Sequence, residues 1–152
     1  MNSKDIKRLL LKQMLENLEI NVEESKHSIQ AMKESRNSDT KSSAGDKYET
    51  GREMMQIEID KYEMQLSKSL VLKRDLMNLN LDKDYQQVEV GSLVFTNVEN
   101  YFISIGAGKL MINNEHYYAI SIVSPMGQLL KHKKAGQSVV FNNKETIIQF
   151  VG

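Results

Sequence analysis

LKQMLENLEINVEESKHSIQAM, residues 11–32, decides the fold. Leu11, Leu15, Leu18, Val22, Ser25, Ile29 and Met32 follow one another at alternating steps of four and three, the stripe of a helix that packs along a second helix. Ser25 is its one polar member. After a polar interval from Asn37 to Ser43, a second stripe runs Met55, Ile59, Tyr62, Leu66 and then Ser69 or Leu70. If the two helices fold back antiparallel, the numbers of facing residues keep a nearly constant sum. Met32 with Met55, Ile29 with Ile59, Ser25 with Tyr62 and Val22 with Leu66 meet that condition. In this register the small Ser25 makes room for the large Tyr62, and the turn falls near Ser43 and Ala44. Arms of this length, at about 1.5 Å per residue, make a rod on the order of 45 Å long. A compact bundle or an intermolecular coiled coil is the competing arrangement; the register favours the hairpin.

The rest of the chain is written differently. Pro125, the single proline, and six of the eight glycines lie beyond residue 90. Period-two β-formers run through Val88, Val90 and Leu93–Phe95, then Tyr101–Ile105, His116–Val123, Ser138–Phe141 and Thr146–Val151. Turn signals separate them at Asn97–Asn100, Gly106–Gly108, Asn113-Asn114 and Asn142-Asn143. Ser124-Pro125 suits a helix start, with Ser124 as N-cap and Pro125 at the first helical position, followed by Met126–Lys131 and a glycine stop at Gly136. The expected fold class is therefore α+β: an antiparallel coiled-coil hairpin over residues 1–80 with its tip near 39–49, a linker around Asn78–Gln86, and a small, largely antiparallel β domain with one short helix over 85–152.

Composition excludes several functions. Among 152 residues, Lys plus Arg and Asp plus Glu are 20 each, so no net charge advertises nucleic acid. Without cysteine there are no disulfides, thiolate nucleophiles or Cys-ligated zinc. No apolar run approaches the roughly 20 residues of a membrane span, and the charged N-terminus does not read as a signal core, so a soluble, cytoplasmic protein is expected. His27, His116 and His132 have no ligand spacing. Gly106-Ala107-Gly108-Lys109 lacks the length and the following helix of a phosphate loop and reads as a hairpin turn. Lys131, His132, Lys133 and Lys134 form a basic run suited to phosphate, to an acidic protein surface or to solvent.

The tip carries the most suggestive chemistry. In Gly45-Asp46-Lys47-Tyr48-Glu49-Thr50, the two carboxylates stand three apart at the start of the second arm and share a helix face. One or two carboxylates are what a protein typically contributes to Mg²⁺. The same spacing is a capping box, and acidic groups in a first turn favour the helix dipole. The two roles are compatible.

A hairpin with Gly45-Asp46-x-x-Glu49 at its tip, followed by a sheet domain, resembles the Gre family of bacterial transcript-cleavage factors. The stretch Ser124-Pro125-Met126-Gly127-Gln128-Leu129-Leu130, then Lys133-Lys134-Ala135-Gly136, is similar to that family's FKBP-like C-terminal domain. Thr50 stands where the family commonly has Asn. The resemblance implies an accessory factor, not itself an enzyme, that enters the secondary channel of RNA polymerase and stimulates cleavage of backtracked transcripts. Asp46 and Glu49 would help hold a Mg²⁺ shared with the polymerase, and Lys131, Lys133 and Lys134 would contribute to docking, with contacts to transcript and DNA inside the complex. A non-cleaving regulator of the same channel and an adaptor for an unrelated protein are the alternative functions.

Overall fold

The computed structural model describes the backbone of residues 1–39 and 46–152, and the side chains of residues 1–38 and 49–152. The chain divides into two compact units, one of Glu16–Lys73 and one of Met1–Leu15 with Arg74–Gly152. Both helical boundaries lie inside long helices, α1 (Ser3–Asp39) and α2 (Asp46–Met77).

In the unit Glu16–Lys73 the two helices are antiparallel, since the Lys73 ammonium meets Glu19 at 3.0 Å while Arg36 donates to Gln56 at 2.6 Å. Lys33 and Glu63 add an ion pair at 3.6 Å. These pairs are exposed and contribute little each. The seam does more: Leu18, Val22, Ser25, Ile29 and Ile59 are buried, and burial of an aliphatic side chain contributes about 1.5–3 kcal/mol. Met32, Met55, Tyr62, Leu66 and Ser69 are partly buried along the same stripe. Ser69 takes the last seam position left open by the sequence, because Leu70 is 46% exposed. Ser25 and Tyr62 line one groove together with Ser28, Gln65 and Ser69. The expected turn at Ser43 and Ala44 lies outside the described residues.

The other unit holds a six-stranded sheet in the order β3-β4-β2-β1-β6-β5. Its strands are β1 (Leu93–Thr96), β2 (Asn100–Ile103), β3 (Gly108–Ile112), β4 (Glu115–Ile120), β5 (Ser138–Phe141) and β6 (Lys144–Val151). All neighbours are antiparallel except β2 and β4, which pair in parallel with Tyr101 opposite Tyr118. Two turns follow from sequence chemistry: Asn113-Asn114 and Asn142-Asn143 all take positive φ, the geometry of a two-residue hairpin loop that Asn tolerates. Gly106–Gly108 corrects the expected hairpin turn, because it joins β2 to β3 while β4 lies between them. Val88 and Val90 are not in a strand; the Val88 backbone instead exchanges hydrogen bonds with His132 and Lys133, both at 2.8 Å.

Leu93 and Phe102 point to one face of the sheet and Val94 and Tyr101 to the other, and all four are buried. Such a sheet must be covered on both sides. On one side α3 (Pro125–Leu130) places Met126 and Leu130 in a core with Val88, Val94, Tyr101, Ile103, Val139 and Ile148. The Ser124 hydroxyl accepts from the Gly127 N–H at 3.1 Å, the expected cap, with Pro125 at the first helical position. The helix ends sooner than expected: Lys131 caps it and His132 takes φ 63°, whereas Gly136 serves the next turn. The first turns of α1 also join this unit. Ser104 contacts the Met14 sulfur at 3.9 Å and Gln13 donates to the Met111 carbonyl at 3.3 Å. Leu10 and Met14 are therefore buried in place of the expected Leu11 and Leu15, which are only half-buried.

Candidate functional site

Asp46 is the first residue of α2, and Glu49 follows one turn later. The Asp46 side chain lies outside the described residues. Glu49 is exposed and lines a shallow groove with Arg52, Glu53 and Gln56. This groove is fixed to the first arm, because Gln56 accepts from Arg36 at 2.6 Å and donates to Asp60 at 2.9 Å. The i, i+3 spacing in one continuous helix gives Asp46 and Glu49 a common face. Oxygen donors in that number suit Mg²⁺ as a partial ligand set, completed by water and by a second molecule. Among the described residues no three His, Asp or Glu side chains are grouped to hold a metal ion.

The basic run sits on a pinned backbone. His132 donates to the Val88 carbonyl, Val88 donates to the Lys133 carbonyl, and the Lys134 N–H donates to the Gln137 side chain at 2.7 Å. Lys131 and Lys134 are exposed and Lys133 is half-buried. Among the described residues none of the three lysines has an ion-pair partner. A rigid loop with unneutralised ammonium groups is a surface on which an acidic partner can settle.

A cluster that the sequence reading passed over lies between the start of α1 and the segment after α2. Lys4 pairs with Asp84 at 3.1 Å, and Arg8 with Asp82 at 2.6 Å. Between them, Lys7 is fully buried and its ammonium lies 4.9 Å from the Tyr85 ring centre, as does that of Lys83. Tyr85 is itself buried and donates to the Asn80 carbonyl at 2.9 Å, which anchors residues 80–85. Burial raises the Tyr85 hydroxyl above its ordinary value, so it stays a neutral donor. The signal was present as three cations on one helical face, Lys4, Lys7 and Arg8, matched to Asp82 and Asp84. Its arms are distant in sequence, and the local composition of residues 78–86 marks only a linker.

No known family and no curated protein matches the chain. Among solved structures it is similar to one described as the transcription factor Gfh1, at 16% identity and a TM-score of 0.34, over 93% of this chain and 92% of that one.

Proposed function

We propose that this chain is a Gre-like accessory factor of a bacterial RNA polymerase, which reaches the catalytic centre through the secondary channel and stimulates cleavage of backtracked RNA. The observation that carries the reading is the position of Asp46-x-x-Glu49 in the first turn of the second arm of an antiparallel helical hairpin, with Glu49 exposed. The Glu49 carboxylate there is available to a partner and is not consumed by the seam.

In this reading Asp46 and Glu49 would hold Mg²⁺ jointly with the polymerase. When bound, the metal supplies Lewis-acid stabilisation of phosphate charge and an acidified water. The chain's own part is to carry two negative oxygens on one helix face and to keep that face in place through the Arg36–Gln56 contact. It performs no reaction alone, acts in the cytoplasm, and docks partly through Lys131, Lys133 and Lys134. Among the described residues no helix is long and apolar enough to cross a membrane.

Thr50, in the position where the Gre pattern commonly has Asn, favours a second reading, a regulator that occupies the channel without promoting cleavage. One experiment separates these from an adaptor function: the full chain is mixed with core polymerase and with a stalled, backtracked elongation complex. Binding with faster RNA shortening supports the accessory factor. Binding without it supports the regulator, and failure to bind polymerase removes both.

A further inference from the structure

The hairpin has two outer faces turned away from its seam, one with a row of exposed apolar groups and one with a single exposed isoleucine among carboxylates. On α2, Met54, Ile57, Met64 and Val71 are exposed, Met64 to 62%, and they continue at steps of three and four through Lys61 and Lys68. On α1, Ile20 is 56% exposed within an acidic groove that includes Glu16, Glu19, Glu23 and Glu24. One face is apolar and basic, the other apolar and acidic.

Their spacings match. Glu16, Ile20 and Glu23 are separated by four and then three residues; Lys68, Met64 and Lys61 are separated by four and then three when read backwards. Laid antiparallel, Ile20 meets Met64 while Glu16 and Glu23 meet Lys68 and Lys61. Among the described residues, Lys61, Lys68 and Glu16 have no ion pair in their own chain. Glu23 has a weak exposed contact with Lys26 at 3.8 Å, which a partner lysine can replace.

We propose that the outer face of α1 in one copy of this chain docks antiparallel on the outer face of α2 in a second copy, with Ile20 against Met64 between two Glu–Lys pairs. The contact is heterologous, since different faces of the two copies meet, so each added copy leaves one of each face free and rows grow rather than closed dimers. A single helix-to-helix strip of this length belongs to the small, transient class of interfaces. Its charge pairs lie at the surface and are weakened by salt.

The test is sedimentation of the full chain from about 10 µM to about 1 mM, a range that captures weak association, in low and high salt. Mass rising with concentration in low salt, and falling back in high salt, is the expected result. Lys61→Glu with Lys68→Glu, and separately Glu16→Lys with Glu23→Lys, should each give monomers of undiminished helicity by circular dichroism. An equimolar mixture of the two should regain association and again grow rows, now alternating the two variants, because one variant is acidic on both faces and the other basic on both. A wild-type chain that stays monomeric throughout, an acidic-face variant that associates like wild type, or a mixture that stays monomeric would each overturn the proposal.

Discussion

The Lys7 ammonium lies 4.9 Å from the centre of the Tyr85 ring and makes no hydrogen bond, although its side chain is fully buried. The ring face offers a cation some attraction, but an ammonium without acceptors is costly to remove from water. Lys7→Met keeps the packed stem and discards the charge, so it is expected to leave stability unchanged or raise it. Lys7→Ala should cost about 2–4 kcal/mol through the cavity it leaves. Urea unfolding of the three proteins checks both.

A pH dependence follows from the same residue. Burial first, and then the charge of Lys4, lower the Lys7 pKa from 10.5, against the opposing pull of Asp84 and Asp82. Between the folded value and 10.5 the unfolded chain binds more protons at this site. The penalty is therefore fully present below the folded pKa and is relieved as pH rises towards 10.5. Wild type should gain on Lys7→Met over that interval. Tyr85 acts in the opposite sense above pH 10, because burial raises its pKa, but it is present in both proteins and largely cancels in the difference. Parallel unfolding curves at several alkaline pH values are the measurement.

Gly127 reverses a helix rule. Gly to Ala inside a helix ordinarily stabilises by roughly 0.5–1 kcal/mol. Here an added Cβ would stand 2.3 Å from the Ser121 carbonyl oxygen and 2.8 Å from that of Ile122, and neither backbone atom can yield cheaply. Gly127→Ala should instead destabilise by about 1–3 kcal/mol, and Ser124→Ala, which removes the cap, by about 1 kcal/mol. Thermal unfolding of both variants tests the order.

Asn114 and Asn143 stand at φ 66° and 62° in two-residue turns. Replacement by valine should cost about 1–2 kcal/mol at either turn, whereas glycine should be neutral or slightly stabilising. A valine variant as stable as wild type would mean that the turn had changed its geometry.

Features set by neighbours in sequence were legible: the cap at Ser124, the proline after it, the asparagine turns and most of the hairpin seam. Each depends on a side chain acting within a few residues, or on one repeated spacing. The run Leu9-Leu10-Leu11 hid the phase of the stripe at the start of α1, since apolar residues occupy several phases there. Only packing against the sheet of their own unit selects Leu10 and Met14. Parallel pairing of β2 with β4 was not legible either, because hydrophobic alternation fixes which face a residue takes but not which strand lies beside it. At the candidate site, the Asp46 and Glu49 spacing was readable, while the Arg36–Gln56 contact behind it required the register of the two arms. Nothing local in sequence marks Lys7 for burial; the distant Tyr85 does.

Asp46 and Glu49 carry the proposed function, and cleavage of RNA in a stalled, backtracked elongation complex over a Mg²⁺ titration tests them directly. Asp46→Asn and Glu49→Gln preserve side-chain size and some capping ability while removing the charge that a metal needs. Each is expected to retain folding and polymerase binding but to slow cleavage markedly, and the double substitution should lose little beyond the worse single one. If the variants bind polymerase and support cleavage as well as wild type at every Mg²⁺ concentration, losing only about 1 kcal/mol of stability as caps do, the carboxylates are helix caps and the accessory mechanism is wrong.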